Sequence, residues 1–302
     1  MKNKDAFSGY HPIINFLYYA LVLLLSMCLM HPVYLAISLT GALAYDVYLK
    51  GKKAVRFAVM GLLPMAALAA LVNPAFNHEG QTILTYLPSG NPLTLESILY
   101  GVAAAVMLAS VVLWFSSYND VMTSDKFVYL FGRMIPALSL VLSMALRFIP
   151  KFKSQMEVVS EAQACIGRDT KTGSVLRRVG NAVKIFSIMV TWSLENAIET
   201  ADSMRSRGYG ARDGRGSHTR YLRYRLGVSG VALLAIMLAC VTIVAVALGC
   251  GALAVSYVPA IAVAPLPPLG IAALVAYALL VLVPTAIDAK EAIAWRCSLS
   301  AI

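Results

Sequence analysis

Seven long apolar stretches, at 13–30, 33–49, 55–72, 95–117, 128–149, 226–255 and 268–287, constrain this chain more than any other feature. About 20 consecutive apolar residues, wound as a helix, span the ~30 Å hydrocarbon core of a bilayer. Backbone N–H and C=O groups in lipid must pair internally, as they do within a helix. Only 13 % of the residues are charged, against roughly a quarter in soluble domains, and the mean hydropathy is +0.73. The expected fold class is an all-α integral membrane protein, not a soluble globule. The amino terminus, with Lys2, Lys4 and Asp5 ahead of an apolar run and no small-residue cleavage signal, reads as the start of a first transmembrane helix.

Charge placement suggests how the runs are threaded. Lys and Arg number 9 before residue 150, 14 in 150–225 and 2 afterwards, with 6, 7 and 2 acidic residues in the same stretches. Lys50, Lys52, Lys53 and Arg56 follow the second run and mark a cytoplasmic loop, whereas 73–94 has no Lys or Arg and reads as external. Four crossings then return the chain to the cytoplasm near Tyr118. Were 128–149 to cross as well, the most basic segment would lie outside, against the positive-inside rule. That run, with Arg133, Pro136 and Arg147 in it, is therefore expected at the interface or against another membrane protein, since a central Arg costs about 2.5–3.5 kcal/mol on insertion scales. About six transmembrane helices result, with both ends cytoplasmic. The expected domains are transmembrane helices at 1–127, a cytoplasmic helical domain at 128–225 and further transmembrane helices at 226–302.

Within the basic segment, a helix over Gln155–Ile166 carries Met156, Val159, Gln163 and Ile166 on one stripe and stops at Gly167. A second helix runs from about Val175 to Arg205, with Ile185, Ile188, Met189 and Trp192 as its apolar patch, and stops at Gly208. The two helix ends read Gly167-Arg168-Asp169 and Arg205-Ser206-Arg207-Gly208. Each sets an Arg beside a helix-stopping Gly. The macrodipole favours a guanidinium there whatever the function; two such tips in one polar domain also suit docking to a pair of grooves. Cys28, Cys165, Cys240, Cys250 and Cys297 have no metal-ligand spacing, nor do His11, His31, His78 and His218.

Phe7-Ser8-Gly9-Tyr10-His11-Pro12, Leu146-Arg147-Phe148-Ile149-Pro150, Glu161-Ala162-Gln163-Ala164 and Met204-Arg205-Ser206-Arg207-Gly208-Tyr209-Gly210 occur in that order. This set resembles the T component of energy-coupling factor (ECF) transporters, the EcfT/CbiQ family, over nearly the whole chain. The resemblance implies a multi-pass protein of a prokaryotic plasma membrane whose cytoplasmic coupling helices carry two X-Arg-X motifs. Those motifs dock on two ABC ATPase subunits; here they are Gly167-Arg168-Asp169 and Ser206-Arg207-Gly208, with Arg205 in support. The first departs from the common Ala-Arg-Gly form. A substrate-binding S component, selective for a vitamin or transition metal, is the third implied partner, and 128–149 is its candidate surface.

The chain lacks a Gly-x-x-x-x-Gly-Lys-Ser/Thr phosphate loop, so no cofactor is expected in it and ATP-Mg is expected in partner subunits. Nothing points to nucleic acid. The apolar runs carry few central ionisable groups, Asp46 and Glu96 lying near run ends, which disfavours an ion-coupled carrier. Two other classes stay open from sequence: a membrane enzyme with a basic cytoplasmic site, and a self-sufficient secondary permease.

Overall fold

Helix dominates the computed structural model, which describes residues 5–86, 92–131, 136–209, 224, 227–257, 262–263 and 267–300. Arg133, Gly210 and His218, singled out above, lie outside these. The helices are α1 (Pro12–Cys28), α2 (Pro32–Lys50), α3 (Lys52–Phe57), α4 (Leu63–Phe76), α5 (Leu95–Val121), α6 (Ser124–Phe131), α7 (Pro136–Cys165), α8 (Val175–Ser206), α9 (Val228–Gly249) and α10 (Pro268–Ser300). Strands β1 (Ile83–Tyr86) with β2 (Pro92–Thr94), and β3 (Val255–Ser256) with β4 (Ala262–Val263), form two small antiparallel hairpins. The protein is an all-α membrane protein. Two compact units divide it: Met1–Phe127 with Tyr224–Ile302, and Val128–Arg223.

Among the described residues, five helical segments are long and apolar enough to cross a bilayer: Pro32–Lys50, Lys52–Phe76, Leu95–Val121, Val228–Gly249 and Pro268–Trp295. The sixth expected crossing, α1, has 17 residues and stands at the short end of spanning length. The described part of the 128–149 run falls in two helices. α6 ends inside it at Phe131, and α7 starts at Pro136 and continues through Pro150 to Cys165. Sequence reading expects separate segments there, yet an internal proline removes only one i→i−4 bond, and the flanking turns carry α7 past it.

The same dipeptide starts α1 and α2. His11 and His31 are N-caps whose Nδ1 accepts from the Ile13 and Val33 amides, both at 3.3 Å, with Pro at the first helical position. An acceptor Nδ1 requires the neutral imidazole. Between α3 and α4, Ala58–Leu62 form a π-turn and the Leu63 amide bonds Ala58 O. Pro64, which has no N–H, explains the shift of register.

The core of the membrane unit is aromatic and hydroxyl-bearing. Tyr18 stands edge-on to Phe7 at 5.2 Å and to Trp114 at 6.1 Å. Ser38 of α2 lies 2.9 Å from Ser26 Oγ of α1 and accepts from Trp114 Nε1 of α5 at 3.2 Å, while Ser26 meets the Tyr277 hydroxyl of α10 at 3.1 Å. Four helices are thereby linked through fully buried polar groups, the usual adhesive where lipid supplies no hydrophobic drive. A Cβ on Gly41 would overlap the Val281 side chain, so α2 and α10 approach as closely as glycine allows.

An amino-terminal strap closes one end of this unit. Phe7 is fully buried and its amide donates to Asp288 Oδ1 at 3.1 Å. Lys126 Nζ, 4 % exposed, donates to Ser8 O (2.6 Å), Ser8 Oγ (2.8 Å) and Val121 O (2.8 Å). With its amide turned to satisfy both groups, Asn15 donates to Phe7 O and accepts from Lys126. The Phe-Ser-Gly-Tyr-His-Pro stretch thus serves the fold directly, tying α1, α5, α6 and α10 together.

Candidate functional site

In the Val128–Arg223 unit, α7 and α8 pack along each other. Phe152 of α7 meets Trp192 of α8 edge-on at 5.3 Å, and Lys151 bonds Asn196 Oδ1 at 2.9 Å while lying 5.4 Å from the Trp192 ring centre. Nearer the end of α7, Asn181 Nδ2 bonds Asp169 O at 2.9 Å. Residue 152 therefore faces 192 and residue 169 faces 181, which makes the two helices antiparallel. Ile185 and Met189 are buried between them, but Met156, Ile166 and Phe186 remain exposed. An apolar groove of about 1100 Å³ runs there, lined by Phe148, Ile149, Phe152, Met156 and Phe186 among others.

Both helices end in the same hydrogen-bonded turn. Gly167 N bonds Ala164 O and Arg168 N bonds Gln163 O, each at 2.9 Å; Gly208 N bonds Arg205 O at 2.9 Å and Tyr209 N bonds Met204 O at 3.0 Å. This is the Schellman pattern, whose turning residue has positive φ. Gly167 has φ 78° and Gly208 φ 80°. The arginines, however, occupy different places in it. Arg168 follows its glycine, and Arg207 precedes its own as the helix C-cap. Matched by the turn, Arg168 corresponds to Tyr209, and Arg207 to Ile166.

Arg168, Arg205 and Arg207 are exposed, and their guanidiniums form no ion pair or hydrogen bond among the described residues. The first tip is braced. Arg177 reaches Gly167 O at 3.4 Å, Arg178 reaches Thr170 O at 2.8 Å, and Asn181 holds Asp169 O. Sequence reading missed this trio; the signal was the Arg177-Arg178 pair with Asn181 one turn on. Asp169 turns inward on its own loop, accepting from the Lys171 amide at 2.9 Å and Thr172 Oγ1 at 3.1 Å. Those donors, the Lys171 amide first, hold its carboxyl below the ordinary range. Ser206 Oγ donates to Ser203 O at 2.9 Å within the last turn of α8.

The tips are not adjacent. Arg168 sits beside the first turns of α8, near Arg177 and Asn181, and Arg207 at its end; the helix between them, at 1.5 Å per residue, separates them by about 40–45 Å. No group of three or more His, Cys, Asp or Glu suited to a metal occurs among the described residues. Chemically the unit offers two separated cationic plugs and an apolar groove.

A family model described as cobalt transport protein, CbiQ, matches residues 12–218 and so takes in both tips. The chain belongs to the CbiQ family. Among relatives of this CbiQ-family protein are the energy-coupling factor transporter transmembrane proteins EcfT of Bacillus selenitireducens, 33 % identical over 101 residues, and of Listeria monocytogenes, 33 % identical over 90 residues. These matches take in 33 % and 30 % of this chain, which spans only 37 % and 34 % of the length of those relatives. The EcfT of Staphylococcus aureus is 24 % identical over 251 residues, 75 % of this chain and 91 % of its own. All three are named as transmembrane proteins of a transporter, none as an enzyme. Its apolar helices make the CbiQ-family chain a membrane protein.

Proposed function

We propose that this chain is the coupling subunit of an ECF-type importer, transmitting ATP hydrolysis in two ABC ATPase subunits to a substrate-binding S component. The observation that carries the reading is the pair of exposed arginines, without an ion pair or hydrogen bond among the described residues, on glycine-ended helix tips about 40–45 Å apart on one helical unit. One ATPase takes each tip. The Val128–Arg223 unit then lies in the cytoplasm, in keeping with its basic charge. Arginine suits a docking tip because its planar fork makes several directed, charge-assisted bonds from a single side chain. The α7–α8 groove, apolar and open, suits the S component. When the ATPases close on ATP-Mg, the tips are drawn together, the antiparallel helices shift, and the S component reorients to release a vitamin or transition metal inside.

The decisive measurement is co-purification of the ATPases with Arg168→Glu, Arg207→Glu and the double variant. Each single change is expected to weaken capture, since unpairing one charged partner at an interface costs about 2–5 kcal/mol, and the double change to abolish capture and uptake with membrane insertion intact. Normal ATPase capture and uptake by the double variant would refute the proposal.

A further inference from the structure

Gly51 alone joins α2 to α3, with φ 59° and ψ −132°, a conformation open to glycine and strained for any side chain. This turn sorts four cations into two environments. Lys50, before it, is used internally, 2.9 Å from Asp46, 3.2 Å from Asp120 and 3.0 Å from Ser116 O. Lys52, Lys53 and Arg56, after it, are exposed and take no ion pair or hydrogen bond among the described residues. Together with Phe57, Met60 and Gly61 they line an open cleft of about 640 Å³.

The order of residues along the cleft is informative. Lys52, Arg56 and Met60 recur every four residues, as do Lys53, Phe57 and Gly61 beside them, so two neighbouring helical stripes each begin in a cation and end apolar. Eight residues at 1.5 Å carry the cleft about 12 Å from its charged end toward the hydrocarbon. The helix bearing it is the most exposed of the candidate spans: 6 % of its apolar window is buried within the protein, against 22 % to 39 % for the other four. Within the membrane unit, this flank is therefore left open to lipid. A topogenic signal needs the charges alone; it does not need an apolar trough continuing below them. A free phosphate would likewise leave the trough unused.

We propose that this cleft binds one anionic phospholipid, its phosphodiester among Lys52, Lys53 and Arg56 and its upper acyl chain along Phe57, Met60 and Gly61. The test is native mass spectrometry of the whole protein released from vesicles of equal phosphatidylglycerol and phosphatidylcholine. One retained phosphatidylglycerol is expected, favoured at least about tenfold given three nearby basic residues. Lys52→Gln with Lys53→Gln and Arg56→Gln should bring the two lipids to parity. Because removing those charges can disturb insertion, Gly61→Leu provides a charge-neutral check: a Cβ there meets only the Phe57 ring, at ordinary contact distance of 3.6 Å, so the backbone has room for a side chain that enters the trough. Its phosphatidylglycerol retention should fall severalfold, and millimolar inorganic phosphate should leave the wild-type lipid in place. Equal retention of both lipids by the wild type, undiminished retention in Gly61→Leu, or displacement by inorganic phosphate would overturn the proposal.

Discussion

Arg168 lies one residue beyond the left-handed glycine that ends its helix, whereas Arg207 lies one residue before the glycine that ends the next. The direction of Arg168 thus depends on the positive φ of Gly167, while Arg207 leaves from backbone at φ −83° and ψ 7°, in the bridge region open to ordinary residues. Alanine in the left-handed region costs about 1–2 kcal/mol. Gly167→Ala is therefore expected to weaken ATPase capture more than Gly208→Ala, with helix content by circular dichroism unchanged in both. Equal losses would show that the two tips do not differ in this way.

Gly41 and Val281 set how closely α2 and α10 pack. Gly41→Ala forces its methyl into the Val281 side chain, and overpacking of this kind costs about 1–3 kcal/mol. The thermal midpoint of the protein in detergent should fall. Adding Val281→Ala should recover much of the loss, a non-additivity visible in a double-mutant cycle.

His11 and His31 cap their helices only while neutral. Burial lowers both imidazole pKa values from 6.5, so over the interval just below 6.5 the unfolded chain binds more protons than the folded one. Stability is then complete above about pH 6.5 and declines as the pH falls toward the lowered folded values. His31→Asn retains a capping acceptor without the titration, and its unfolding midpoint should vary less between pH 7.5 and 5.5 than that of the wild type. His31→Ala should cost about 1 kcal/mol at pH 7.5 and less as the pH falls, since the protonated imidazole no longer caps.

Lys126 presents the opposite end of the scale. Burial brings its pKa from 10.5 down to about 8, although three oxygens of Ser8 and Val121 accept from it. Between about pH 8 and 10.5 the unfolded state binds more protons, so this group adds stability as the pH rises through that window. Lys126→Met removes the slope and leaves Ser8 O and Val121 O without their donor, at about 1–3 kcal/mol each if they stay buried. The strap at residues 5–11 should then become more susceptible to limited proteolysis.

Much of this protein could be read from residue order. Spanning helices announce themselves because lipid imposes one simple demand, a long apolar run with its backbone bonds satisfied locally, and helix stops such as Gly167 and Gly208 act within a few residues of themselves. The two arginine tips were visible for the same reason. What only the tertiary structure decided depends on partners distant in the chain: Ser26 and Ser38 on Tyr277, Gly41 on Val281, Phe7 on Asp288, Asn181 on Asp169. Periodicity is blind to such pairs, and it also divided α7 at Pro150, where packing by Phe152 on Trp192 accompanies a helix that runs on unbroken. The order of arginine and glycine at each tip is written in the sequence, but the separation of the tips follows from where the first loop packs along α8, which a matching motif does not express.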